Sequence, residues 1–267
     1  MTKIDLGNAC FGFDETSLSE LKEIASQYRN SLGIVVKLTG LIGNKVEDVI
    51  EHLPGNWSEK VEGAAELALD VSYKAATYTQ PGEEDSALAI ARNWTKGERW
   101  HKVTTAISGA IGGFGGFGTT LAELPVTTTL ILRSIQQIAQ EHGEDLTDEA
   151  VRKQCIAVFG FGGPLTDDDD FDFGLFTVRV ALARLSISEL LKTILPKFGV
   201  AVSTKMAAQA APVLGAATGA AVNTAFTNYY QSMAHVHFRL RKLERSHDPE
   251  LVQACFERIM NVTKKAA

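Results

Sequence analysis

Cysteine is scarce in this chain, with three residues, Cys10, Cys155 and Cys255, lying far apart. They form no CxxC pair, and their odd number speaks against a full disulfide framework. A reducing compartment is the simplest expectation from that usage. An excess of basic charge is also missing. Lys and Arg total 26 against 32 Asp and Glu, a formal net charge of −6, which argues against non-specific nucleic-acid binding. The N-terminal stretch lacks the basic start and long apolar centre of a secretory signal, so a cytoplasmic protein is expected. With only 7 prolines and 22% charged residues, the composition excludes a disordered chain. Strand-type alternation is almost absent.

The familiar catalytic signatures are absent too. There is no GxSxG elbow, no GxxxxGK[ST] phosphate loop and no HExxH pair. Gly112-Gly113-Phe114-Gly115-Gly116 superficially looks like a dinucleotide fingerprint, but it sits in helical sequence with no preceding strand and no βαβ unit. The acidic run Asp167 to Asp170 lacks the alternating ligands and terminal Glu of an EF-hand, so it reads as a solvated loop.

What the sequence does have is helical periodicity along nearly its whole length. Ser17 and Glu20 suggest a capping box that opens a helix through Leu18, Leu21, Ile24, Ala25 and Tyr28. A second helix is expected from Ile34 to Leu53, ended by Pro54-Gly55, and a third from Trp57 to Tyr78. A short helix around Ala87 to Trp94 follows. After the polar turn Glu141 to Asp145, Thr147 is expected to cap a helix through Val151, Cys155 and Phe159. Phe173 to Leu195 reads as amphipathic, ended by Pro196. Asp248-Pro249 reads as a cap for a last helix from Glu250 to about Thr263. The expected fold class is all-α, a single multi-helix bundle of nine or ten helices with two central Gly/Ala-rich apolar segments. Residues 1–94 form an N-terminal helical part and 95–267 a helical core, in one continuous domain.

Those two segments set the chain apart. Val103 to Ala122 carries no charge and six glycines, and Met206 to Phe238 has no Asp, Glu, Lys or Arg. Small residues recur every four positions at Ala207, Ala211, Gly215 and Gly219, and again at Gly112 and Gly116. Such a glycine-zipper face lets another backbone approach closely. Each helical glycine costs up to about 1 kcal/mol against alanine. Close packing or a lipid environment must offset that cost. The threonines of the first segment and Gln209, Asn223, Asn228, Gln231, His235 and His237 of the second make a stable membrane span the less favoured reading. A buried hairpin in a bundle and a hairpin resting on lipid stay open.

Glu123 is the only charge between Lys102 and Arg133. A buried carboxylate there must find a partner, with Arg133 or Arg241 as candidates, or take up a proton. The plainer reading is a helix-terminal residue bonded to backbone amides. His235 and His237 are two apart, so on a helix they point in different directions and do not easily share a metal. The basic stretch Arg239, Arg241, Lys242 and Arg245 suits anionic headgroups, or equally an exposed helix end partnered by Glu244.

Three blocks carry a resemblance. The glycine-rich run followed by Glu123-Leu124-Pro125-Val126-Thr127-Thr128-Thr129 and Arg133-Ser134-Ile135 resembles the EcsC family. So does Val202-Ser203-Thr204-Lys205-Met206 through Pro212-Val213 with Gly215, Gly219 and Asn223. The closing stretch from Phe226-Thr227-Asn228-Tyr229-Tyr230 through His237-Phe238 to Arg245 is similar as well. The likeness is best from Trp94 to Ser246. Two departures are Tyr230, where relatives often carry His or Phe, and the Asp167 to Asp170 run. The resemblance implies a helical fold and membrane association. The family takes its name from a protein encoded beside ABC-transporter subunits, and its members have no agreed activity.

Together these readings favour a non-enzymatic cytoplasmic protein, peripheral at the inner membrane, that binds a lipid surface or apolar ligand. An ABC transporter or other protein is its expected partner, with no nucleic acid, cofactor or metal. Its ligand-binding candidates are Gly112, Gly116, Thr127, Gly215, Gly219, Asn223 and Arg241. The alternatives are a hydrolase on a lipid or apolar substrate, with Glu123 and His237 as catalytic candidates beside Thr127 and Asn223, and a protein-interaction module.

Overall fold

Helix α1, Glu15–Ile42, starts at a cap one residue ahead of it. Asp14 accepts the backbone N–H of Ser17 at 2.7 Å and meets its hydroxyl at 3.2 Å. The cap therefore sits three residues before the expected box, because Asp14 takes the amide of Ser17 itself and so places Ser17 inside the first turn. The chain then continues helical through Gly33, which merges the first expected helix with the start of the second. The computed structural model describes residues 7–42, 57–78, 117–161, 179, 184–210 and 215–264. The rest of Ile34 to Leu53 beyond Ile42, the Ala87 to Trp94 helix, the Asp167 to Asp170 run and most of the first glycine-rich segment lie outside these residues.

Among the described residues there are seven α-helices and no strand. After α1 come α2, Trp57–Tyr78, and α3, Phe117–Glu141. Helix α4, Glu149–Ala157, runs on into a 3-10 turn, Val158–Phe161. Then follow α5, Ile187–Ala210, α6, Gly215–Glu244, and α7, Pro249–Lys264. A 3-10 turn at Gly7–Cys10 precedes them. The fold is an all-α bundle.

Several expected boundaries move for local reasons. Asp148, not Thr147, caps α4 by accepting the N–H of Ala150 at 2.8 Å, while Thr147 bonds to Asp145. Pro196 does not end a helix. It lies inside α5, whose start is fixed by a reciprocal capping box between Ser186 and Glu189. Pro125 likewise lies within α3, where the hydroxyls of Thr128 and Thr129 donate back to the carbonyls of Leu124 and Pro125 at 2.8 and 2.7 Å. The turn after α3 matches the expected one. Gly143 takes a left-handed φ of 80°, its N–H reaches Gln140 O, and Glu144 N–H reaches Ala139 O, a Schellman ending.

Helix α6 is the centre of the bundle, packed against α1, α3, α5, α7 and the 3-10 turn after α4. Its second half buries Tyr229, Tyr230, Met233, Ala234, Val236, His237, Phe238 and Leu240. A helix buried almost all round must be surrounded by others. Leu21, Ile24 and Tyr28 of α1, Ile131 and Ile135 of α3, Ile194 and Phe198 of α5, and Val252 and Phe256 of α7 join the same core. Helix α2 packs against α3 and α5 and buries Ala65, Ala68 and Ser72, and Ser72 Oγ lies 3.2 Å from Thr129 Oγ1 of α3.

The cysteines differ from expectation. Cys10 and Cys255 are joined in a disulfide, and the buried Cys155 stays free. The odd thiol is real, but wide spacing in sequence did not mean separation in space. A bridge of this kind persists in oxidising surroundings, so the cysteines no longer argue for a reducing compartment.

Candidate functional site

Helix α6 ends in a run of cationic side chains, and around them the fold gathers acids from three separate elements. Helices α1 and α6 are antiparallel, since Phe13 stacks on His247 while Arg239 reaches back along α1. The Arg239 guanidinium meets Glu20 at 3.5 Å, Glu23 at 3.0 Å and the Gln27 amide oxygen at 3.2 Å. Glu144, brought in by the turn after α3, takes the next two. It accepts from Arg241 Nε and Nη2 at 2.9 and 3.1 Å and from Arg245 Nη1 at 2.7 Å. Its side chain is only 5% exposed, so the two guanidiniums replace the water it has lost. Arg245 also donates to the His142 carbonyl at 2.6 Å.

The deepest part is built on Arg179. Its Nη1 and Nη2 donate to the two carboxylate oxygens of Glu244, both at 2.9 Å, and its Nε donates to His237 Nδ1, also at 2.9 Å. A guanidinium only donates, so Nδ1 must be the accepting, unprotonated nitrogen, and this bond fixes the imidazole as neutral with its hydrogen on Nε2. The ring is fully buried between Phe161 and Phe238, and Nε2 has no hydrogen-bond partner among the described residues. Burial, then the positive charges of Arg179 and Arg241, hold His237 well below the ordinary imidazole value. Burial also works against the Arg179 charge, and Glu244 opposes that.

A second imidazole pair lies beside this network. His142 Nε2 and His235 Nδ1 are 3.1 Å apart, with the rings nearly perpendicular. Burial pushes both below the ordinary value. Arg239 adds to that for each, His235 and Lys242 do so for His142, and Glu141 opposes it for both.

The expected site residues are spread over this architecture. His235 and His237 do point apart, one to His142 and the other to Arg179. Arg241 is engaged by Glu144 rather than Glu123, and Glu244 serves Arg179 rather than the exposed helix end. Thr127 is half-buried on α3. Glu123 lies on α3, and Gly215, Gly219 and Asn223 lie on the first turns of α6, at positions whose side-chain surroundings are outside the described residues, as are Gly112 and Gly116 altogether. Sequence reasoning missed Arg179, Glu144 and His142 as partners. A signal existed for Glu144, an acid placed directly after a helix-ending glycine in a chain with a basic helix end to neutralise. None existed for Arg179.

Among the described residues, no three His, Cys, Asp or Glu side chains are grouped to hold a metal ion. No helix among them is long and apolar enough to cross a membrane. No curated protein and no solved structure matches the chain. The match to the EcsC protein family, in contrast, runs from residue 15 to residue 243, from the first turn of α1 almost to the end of α6, and takes in the ionic network except Glu244 and Arg245. The chain belongs to the EcsC protein family.

Proposed function

We propose that this EcsC protein is a non-enzymatic helical protein that associates peripherally with lipid through the uncharged end of its bundle. The observation that carries the reading is the separation of charge along the central helix. The ion pairs of Arg179, Arg239, Arg241 and Arg245 gather where α1 begins and α6 ends. At the other end α5 finishes at Ala210 and α6 starts at Gly215, within a stretch free of Asp, Glu, Lys and Arg from Met206 through Phe238. The antiparallel α1 runs toward that end with Lys37 as its only charge after Arg29. A helical tip of this kind gains free energy by leaving water for the headgroup–acyl boundary without spanning the bilayer.

The basic run contributes less than its sequence suggests. Arg239, Arg241 and Arg245 already face carboxylates of the same chain, which leaves little attraction for anionic headgroups. Lipid binding is therefore expected to resist salt. Burial of His237, with Nδ1 held by Arg179, favours a structural role for that residue over general-base catalysis. Help to a transporter or another envelope process fits a protein that rests on the membrane face. Vesicle flotation tests the reading: an Ala216→Asp/Ala220→Asp variant should lose binding, and equal binding by both proteins contradicts it.

A further inference from the structure

The first and last described stretches of the chain meet at a covalent bond. Cys10, ending the first 3-10 turn, is joined to Cys255 on α7, with Cα atoms 4.7 Å apart and a sequence separation of 245. The two sulfurs belong to residues of unequal access. Cys255 is fully buried beneath the segment, whereas Cys10 is 9% exposed, with Asn8, Phe11 and Gly12 open to solvent around it. Beyond the bridge, the 3-10 turn packs against α7, and Phe13 lies half-buried against the core. Gly12 reverses the chain at a φ of 102°, and Phe13 stacks on His247 with centroids 4.8 Å apart. Phe11, 82% exposed, contributes nothing to the core.

We infer that Cys10–Cys255 is a thiol–disulfide exchange site that clasps the N-terminal segment onto α7 when oxidised and frees it when reduced by a small or protein dithiol. A thiolate of the dithiol attacks Cys10 Sγ, the more accessible sulfur. The Cys10–Cys255 bond breaks, and Cys255 leaves as a thiolate that takes up a proton. The second thiol of the reductant then attacks the mixed disulfide and releases Cys10 as a thiol. Two electrons and two protons pass from the dithiol, which becomes a disulfide, to the two cysteines. Cys155 does not interfere. It is buried, and desolvation raises its thiol well above the ordinary value, so it supplies no thiolate to scramble the bridge.

The test uses the full chain purified without reductant. Native alkylation with iodoacetamide should add nothing before treatment. After a mild dithiol it should modify Cys10 and Cys255 but not Cys155, with the far-ultraviolet circular dichroism unchanged. Chymotrypsin should then cut at Phe11 or Phe13 at least about tenfold faster, since cleavage follows local opening. Incubation with glutathione should leave its adduct on Cys10. Four outcomes overturn the proposal: alkylation of Cys10 or Cys255 before reduction, a bridge that yields only in denaturant, the glutathione adduct on Cys255, or loss of helical signal on reduction.

Discussion

At the scale of single residues, the fold is most exposed to change at Arg179. Its guanidinium satisfies both oxygens of Glu244 and one nitrogen of His237, so Arg179→Ala leaves a mostly buried carboxylate and a buried imidazole nitrogen without their donors. Removing one partner of such a pair costs about 3–5 kcal/mol, to be read from chemical denaturation. The same bond predicts a pH dependence. The folded protein holds His237 neutral well below 6.5, whereas in the unfolded chain it protonates near that value. The unfolded state therefore binds more protons as pH falls through 6.5, and stability drops on acidification. The melting temperature should decline from pH 7 to pH 5.5, and more shallowly in His237→Gln, where the slope rather than the absolute value is compared. That the two histidines face different ways was legible from their spacing alone. Their partners were not, because Arg179 and His142 come from elements remote in sequence, and one sequence carries no trace of such pairings.

Element by element, helix existence was legible and helix ends were less so. Trp57–Tyr78 and Pro249–Lys264 follow closely from a periodic run bounded by a turn or an Asp-Pro cap. The misplaced starts share one cause. At α1 and α4 an aspartate, Asp14 or Asp148, caps in place of the hydroxyl residue that looked suitable. Pro196 misled in the other direction. Pro125 and Pro196 sit inside helices, where Pro removes one backbone bond but tertiary packing keeps the helix going. Two substitutions check the observed ends. Gly143→Ala should cost about 1–2 kcal/mol, because its left-handed φ strains an L side chain even though the added Cβ would find only an ordinary contact with Arg245. Asp248→Ala removes the acceptor for the Glu250 amide and should cost about 1 kcal/mol. Both are read from thermal melts.

For the whole molecule, the basic helix end illustrates why surface chemistry is hard to read from sequence. Four cations in seven residues look like a headgroup site until the fold brings Glu20, Glu23 and Glu144 against them. Glu144→Gln separates the two situations. It should cost about 1–2 kcal/mol in stability through weaker hydrogen bonds to Arg241 and Arg245. It should also give the protein a salt-sensitive affinity for anionic vesicles that the parent lacks, measured by co-sedimentation at low and high salt. The uncharged stretch from Met206 was legible because absence of charge over so long a run survives any uncertainty in helix ends.

Vesicle flotation of the intact protein bears most directly on the central claim that the charge-free end of α5 and α6 meets lipid. Tested with phosphatidylcholine vesicles and with vesicles containing an anionic lipid, each at about 0.05 and 0.5 M salt, where charge screening differs several-fold, the protein should float with both at both salt levels. Binding confined to anionic vesicles and abolished by salt, or no binding at all, would contradict it.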